Sequence, residues 1–217
     1  MHVAVIDYGS GNLRSVAKAI DKAGLNIGTG VSVEITNKPA ALHQADKIVL
    51  PGVGSFADCA SSLYKIPELR EGLNINVIQK GKPFLGICVG MQLMADRGIE
   101  NGTNLGLGWI PGEVCKIKPT DPSLKIPHIG WNEVEPQTNR PHPVTKSFKN
   151  KNHAYFVHSY SFECTNKANI LAHTNYGGKI AAVVGRENMV GTQFHPEKSQ
   201  VVGLHMLTNF LLWNGKG

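Results

Sequence analysis

Residues 83–95 read Pro83-Phe84-Leu85-Gly86-Ile87-Cys88-Val89-Gly90-Met91-Gln92-Leu93-Met94-Ala95, an apolar run that enters a glycine turn and continues as a helix to about Ala95. A short apolar run bounded by turn residues is the pattern of a buried strand. Glycine two places before and two places after Cys88 lets the strand and helix backbones approach where a Cβ would collide. The pattern matches the sharp strand-to-helix turn that presents a nucleophile in α/β hydrolytic folds, with Cys in place of Ser. The thiol would then sit at a helix N-terminus, whose partial positive charge favours thiolate. Alone, the stretch equally suits a small buried cysteine near a glycine-rich bend, since glycine turns after strands are common.

The same grammar occurs twice upstream. Residues 3–6 are apolar and run into Asp7-Tyr8-Gly9-Ser10-Gly11, after which Leu13, Val16, Ala17 and Ile20 recur at helical spacing up to Gly24. Residues 47–50 run into Pro51-Gly52-Val53-Gly54 and a helical stretch. Three strand-loop-helix units in succession predict a parallel sheet with helices on its faces. After Gly98 the texture changes to Pro, Gly and short β-rich runs at residues 113–117, 128–134, 154–160 and 170–174. Residues 180–184 and 189–194, joined through Gly185-Arg186-Glu187-Asn188, read as a hairpin. A closing helix over about 199–213 would put Val201, Leu204, Thr208 and Leu211 on the side that docks on the sheet. The expected fold is α/β, one domain over residues 1–217, with a central mostly parallel sheet flanked by helices and additional antiparallel strands in the C-terminal half.

The 217 residues are 41% hydrophobic and 18% charged, which excludes disordered and fibrous classes. No run approaches the ~18 apolar residues of a membrane helix, and the start lacks a basic segment followed by a long apolar one. The net charge of +6 comes from scattered cations. Lys146, Lys149 and Lys151 form the only local cluster, so no nucleic-acid footprint is expected. Cys59, Cys88, Cys115 and Cys164 lie far apart without a CxxC pair and read as free thiols in a reducing compartment, with the cytoplasm as the expected location. Metal binding by His153, His158 and His195 lacks the i, i+3/i+4 spacing that would support it.

A nucleophilic cysteine needs a base. His195-Pro196-Glu197 follows an apolar run ending at Phe194, and in an extended segment residues i and i+2 project to one side. Pro196 stiffens the segment, so Glu197 can accept from one imidazole nitrogen while the other faces Cys88. By itself the tripeptide also suits a strand end whose Glu caps the last helix. Acyl chemistry needs two donors for its oxyanion: the Val89 amide, just after the nucleophile, is the natural first. The second fits the Val53 peptide between Gly52 and Gly54, where Gly52 would let the peptide flip between presenting N–H and C=O. A plain βα turn explains that loop equally when it stands alone.

PGVGSF (51–56), GICVGMQ (86–92) and FHPEKS (194–199), in this order and spacing, resemble the class I glutamine amidotransferases over the whole chain. DYGSGNLRSV (7–16), GLGWIPGEV (106–114), PHIGWNEV (127–134) and YFVHSY (155–160) narrow the resemblance to the glutaminase subunits of imidazole glycerol phosphate synthase. The resemblance implies a Cys88-His195-Glu197 triad, an oxyanion hole at Val53 and Val89 flanked by Gly52 and Gly54, and Gln92 in contact with substrate L-glutamine. It also implies Glu100 on the substrate's α-ammonium and the backbone of Ser159 and Tyr160 at its carboxylate. Asn12, Trp131, Tyr155 and Lys198 would face a HisF-type (β/α)8-barrel cyclase partner that receives the ammonia. No cofactor or metal is implied. Read without the resemblance, Glu100 is an exposed loop acid, Lys198 a solvated charge and Trp131 a core residue. Val89 stands where Leu is commoner in the family, and segment 26–33 is a few residues long. A stand-alone γ-glutamyl hydrolase, or the amidotransferase of pyridoxal phosphate synthesis, would share the triad but has no reason to carry GNLRSV and IGWN. A non-catalytic regulatory subunit has no reason to keep the triad.

Overall fold

Strands buried along their whole length need helices on both faces of the sheet, and the N-terminal half of this chain has them. The computed structural model describes residues 1–28, 30–148 and 152–216. Thr29 in segment 26–33, and Lys149 and Lys151 of the lysine cluster, lie outside the described residues. The first half runs β1 (His2–Ile6), α1 (Leu13–Leu25), β2 (Ser32–Thr36), α2 (Pro39–Gln44), β3 (Lys47–Gly52), α3 (Phe56–Tyr64) and α4 (Pro67–Leu73). A π-helical stretch over Asn74–Gln79 then leads into β4 (Phe84–Cys88) and α5 (Val89–Gln92). All positions of β3 and β4 are buried. The second half holds β5 (Arg97–Gly98), β6 (Asn104–Leu105), β7 (Gly112–Lys116), β8 (His128–Glu133), β9 (Glu135–Pro136), β10 (His153–His158) and β11 (Tyr160–Cys164). It closes with β12 (Ile170–Asn175), β13 (Lys179–Arg186), β14 (Met189–Thr192) and α6 (Gln200–Leu212).

The main sheet has the order β2-β1-β3-β4-β14-β13-β12-β9. Pairing is parallel from β2 to β14 and antiparallel beyond it. Right-handed crossovers in an order that steps from β1 out to β2 and back across to β3 put α1 on one face and α2 to α4 on the other. Accordingly α1 packs on α6, and α4 on α2 and α3. A two-stranded sheet (β8, β10) and a four-stranded one (β11-β7-β5-β6) complete the fold. This is the expected α/β architecture, with antiparallel strands in the C-terminal half. Among the described residues no helix is long and apolar enough to cross a membrane.

Four expectations need correction. The helix after Cys88 is one turn, ending at Gln92 rather than near Ala95. Met94 N and Ala95 N bond instead to Met91 O and Gln92 O three residues back, which tightens the turn, and the next carbonyls accept from the incoming segment 107–110: Leu93 O from Leu107 N at 2.7 Å, Met94 O from Trp109 N and Ile110 N, and Ala95 O from Gly108 N. The run 154–160 is not one strand: it breaks at Ser159, whose carbonyl accepts from Ile117 N at 2.9 Å, and the chain passes from the sheet of β8 to that of β7. In the hairpin, β13 extends through Arg186, and only Glu187, at φ 53°, and Asn188 form the turn. Helix α6 docks through Gly203, Met206, Leu207, Phe210 and Leu211, whereas Val201 is exposed and Leu204 and Thr208 half-buried. Its apolar residues surround the whole axis, so periodicity alone could not choose the face. Gly203 decides it, since a Cβ there would lie 1.9 Å from Pro196 O.

Candidate active site

Cys88 ends β4 at φ 55° and ψ −113°, a left-handed conformation that a non-glycine residue holds only when its surroundings force it. The surroundings are glycines. A Cβ on Gly90 would lie 1.8 Å from Leu50 O, and one on Gly86 would lie 2.6 Å from Gly90 O. A Cβ on Gly52 would meet Gly90 N at 2.6 Å, so Gly52 is glycine to let β3 lie against the turn. The position in this loop that needs a positive φ is Gly54, at +103°. Val89 opens α5, so its N–H lacks a partner within the helix; Cys88 is 4% exposed and borders a cavity.

Parallel pairing of β14 with β4, Thr192 opposite Ile87, carries the chain past Thr192 to the same end of the sheet. His195 is buried at 2% exposure beside Cys88, and its Nδ1 lies 2.8 Å from Glu197 Oε1. The contact forms as expected, though not through an extended segment: Pro196–Lys198 is a 3-10 turn. The turn is braced, with His195 N–H donating to Tyr155 O at 3.0 Å and Ser199 Oγ to His195 O at 2.7 Å. Burial alone would depress the imidazole's pKa, but its bonds to Cys88 and Glu197 outweigh that and raise it to about 9. The shift favours the imidazolium, the form that can give up a proton.

The Val53 peptide is engaged elsewhere. Its N–H donates to Ser10 Oγ at 3.1 Å, and its carbonyl accepts from the same hydroxyl at 2.6 Å and from the Cys59 thiol at 3.3 Å. An oxyanion donor at Val53 requires this peptide to leave Ser10.

A cavity of about 380 Å³ opens over Cys88 and His195, and Val53, Gly54, Val89, Gln92, Glu100, Ser159, Tyr160 and Lys198 also line it. Gly52 and Glu197 do not line it: Gly52 packs against the Gly90 backbone, and Glu197 bonds to His195 Nδ1. Glu100 is half-buried rather than a free loop acid, its Oε2 accepting from Phe56 N at 2.6 Å where α3 begins. Gln92 is buried, its Nε2 donating to Tyr160 O at 3.1 Å and to Gln193 Oε1 at 3.0 Å.

Sequence reasoning missed Ser10, Gln193 and a histidine pair. His158 lines the cavity, with Nδ1 2.9 Å from Tyr160 O and Nε2 2.9 Å from His128 Nδ1, while His128 Nε2 lies 3.1 Å from Asn132 Nδ2. A carbonyl only accepts, so His158 carries its proton on Nδ1. The pair is then neutral, each ring donating through Nδ1 and accepting at Nε2. No spacing rule joins residues 128 and 158; only the register of β8 against β10 sets them opposite each other.

Burial lowers His128, His142 and His158 to about 4 from an ordinary 6.5. Between these values the unfolded chain binds protons that the native one refuses, so stability rises with pH through this window and is lost as pH falls from about 6.5 to 4. His195 acts oppositely: its contribution is complete below about 6.5 and is lost as pH rises through about 9. The expected outcome is a thermal midpoint that peaks near neutrality and falls by at least ~5 °C between pH 7 and pH 5, followed by circular dichroism.

Trp131 is not a core residue: it is 48% exposed and meets Tyr155 edge-on at 6.0 Å, and Lys198 Nζ stands 5.7 Å over the Tyr155 ring. Asn12 is exposed at the start of α1, after β1 and thus at the same end of the sheet as Cys88.

The chain is 51% identical to the imidazole glycerol phosphate synthase subunit HisH of Agrobacterium fabrum, over 98% of this chain and 99% of that protein. It is 50% identical to the subunit of the same name from Rhodospirillum rubrum, with the same coverage. Among solved structures, a glutamine amidotransferase superposes with a TM-score of 0.68 at 16% identity, covering 96% of this chain and 98% of the other. At that identity the likeness concerns the fold alone. The family model of class I glutamine amidotransferases matches residues 4–213. That span takes in every strand of the main sheet from Ala4 onward together with the cysteine turn and the histidine turn it brings together, and the chain belongs to the class I glutamine amidotransferase family.

Proposed function

We propose that the chain is the glutaminase subunit of an imidazole glycerol phosphate synthase, hydrolysing L-glutamine to glutamate and ammonia and passing the ammonia to a cyclase subunit. The observation that carries the chemistry is the buried line from Glu197 through His195 to Cys88 at the floor of a cavity sized for an amino acid. The full-length likeness to synthase subunits favours this pathway over a stand-alone hydrolase.

In this reading the Cys88 thiolate attacks the side-chain amide carbon, forming the C–S bond, while the Val89 N–H stabilises the oxyanion. His195 gives its proton to the departing nitrogen, the C–N bond breaks, and ammonia leaves. His195 then takes a proton from water, whose oxygen attacks the thioester; the C–S bond breaks, glutamate forms and the thiolate returns. Glu197 holds the imidazole in orientation and balances its charge. Glu100 lines the cavity and would take the α-ammonium, and the Ser159–Tyr160 backbone, also at its wall, would take the carboxylate. Gln92 uses its nitrogen inside the protein, so its Oε1 is the atom left for substrate. Trp131, Tyr155, Lys198 and Asn12 form the face towards the cyclase, with Lys198 bordering both that face and the cavity.

Because histidine moves protons and glutamate only orients it, His195→Asn is expected to cost more in glutaminase kcat than Glu197→Gln, by at least ~10-fold. Steady-state glutamate release by the assembled complex measures both. Equal and negligible losses would remove the two residues from the mechanism.

A further inference from the structure

Gln193 is completely buried, two residues before His195. A primary amide survives such burial only when its polar atoms find partners, and one of its partners is the sulfur: Gln193 Nε2 lies 3.8 Å from Cys88 Sγ, within the longer reach of an N–H···S bond. The orientation of this amide is forced. Tyr160 O accepts and never donates, so Gln92 must turn its nitrogen towards it, and the same nitrogen then faces Gln193. Gln193 answers with Oε1, which leaves its N–H groups for Cys88. The anchor at Tyr160 is itself held by His158 Nδ1–H, and His158 by His128.

We propose that Gln193 is a catalytic residue whose side-chain N–H donates to Cys88 Sγ. The inference rests on the reading of Cys88 as nucleophile. Two moments of the cycle put negative charge on sulfur, the thiolate as it attacks and the thiolate expelled as the thioester C–S bond breaks. A donor aimed at sulfur favours both. The Val89 N–H serves the oxygen of the same intermediates, so the two donors divide the charge between them.

The test uses the full chain carrying Gln193→Glu or Gln193→Met. The glutamate keeps the size of the side chain and an acceptor for Gln92 but cannot donate to sulfur when ionised; the methionine keeps the size and removes both polar atoms. Alkylation of Cys88 by iodoacetamide, followed by mass spectrometry on the Cys88 peptide, reads thiolate without any turnover. The expected result is an alkylation rate at pH 7 about 10-fold below the parent, a pH profile displaced upward, and a similar fall in kcat with KM within ~2-fold. An alkylation profile identical to the parent in a folded Met variant, which has no donor and no charge, with only the thermal midpoint lowered, overturns the proposal and leaves the amide a packing element. Failure of the underlying reading looks different: Cys88→Ala would still hydrolyse glutamine, whatever the alkylation profiles of the Gln193 variants.

Discussion

Replacing Cys88 by alanine is expected to lower glutamine hydrolysis by at least ~10⁴-fold while leaving the fold and partner binding intact. The magnitude follows from removing the nucleophile of a triad, where loss of the nucleophile or the histidine alone costs nearly as much as removing all three members, while loss of the acid costs less. The fold survives because the change deletes one buried sulfur at a turn held by Gly52, Gly86 and Gly90, none of which it touches. Glutamine-dependent synthesis by the complex with a cyclase should vanish, whereas synthesis from added ammonium salts should persist, because the cyclase needs only ammonia. The two assays on one preparation, with circular dichroism as the control for folding, make the comparison. Loss of both activities in a well-folded complex would sink the role given to Cys88.

The second large effect is a gate. The free chain is expected to be a poor glutaminase, and addition of a cyclase with its nucleotide ligand to raise kcat by ~10²–10³-fold, the cost of one missing oxyanion donor. The physical cause lies in the hydrogen bonds of Val53. While Ser10 holds both the N–H and the C=O of this residue, the proposed hole would have the Val89 donor alone. Lys198 sits next to Glu197, borders the cavity and leans on Tyr155, which is how docking at the aromatic patch can reach the site. Ser10→Ala removes the acceptor of the Val53 N–H and should raise the activity of the free chain several-fold. Glutamate release is measured for the chain alone, with cyclase, and with cyclase plus ligand; a free chain already running at the full complex rate would defeat the gate.

The parallel half of the fold was legible because β1, β3 and β4 are continuous apolar runs closed by glycine loops, patterns that local sterics and burial impose on the chain itself. The elbow was legible for the same reason, since Gly86 and Gly90 are needed within two residues of Cys88. His195 and Glu197 could be paired from sequence because they are two residues apart, although the turn that joins them is tighter than an extended segment. Where a partner is distant, local pattern was silent or misleading. The chain after the one-turn helix at Cys88 tightens and gives the carbonyls of Leu93 to Ala95 to residues 107–110, and the strand before Tyr160 breaks because Ser159 O is bound by Ile117 N.

By itself, then, the sequence determined what short-range geometry determines: the succession of strands and helices, the strained cysteine turn, and a histidine within reach of its own carboxylate. Only the tertiary structure decided which side chains meet. It brings Cys88 to His195 by laying β14 beside β4, turns Gln193 towards sulfur through Tyr160 and Gln92, pairs His128 with His158 across two strands, and ties Val53 to Ser10. Each of these is a hydrogen bond or strand pairing between residues far apart in the chain, and its existence depends on register and packing that no local periodicity encodes.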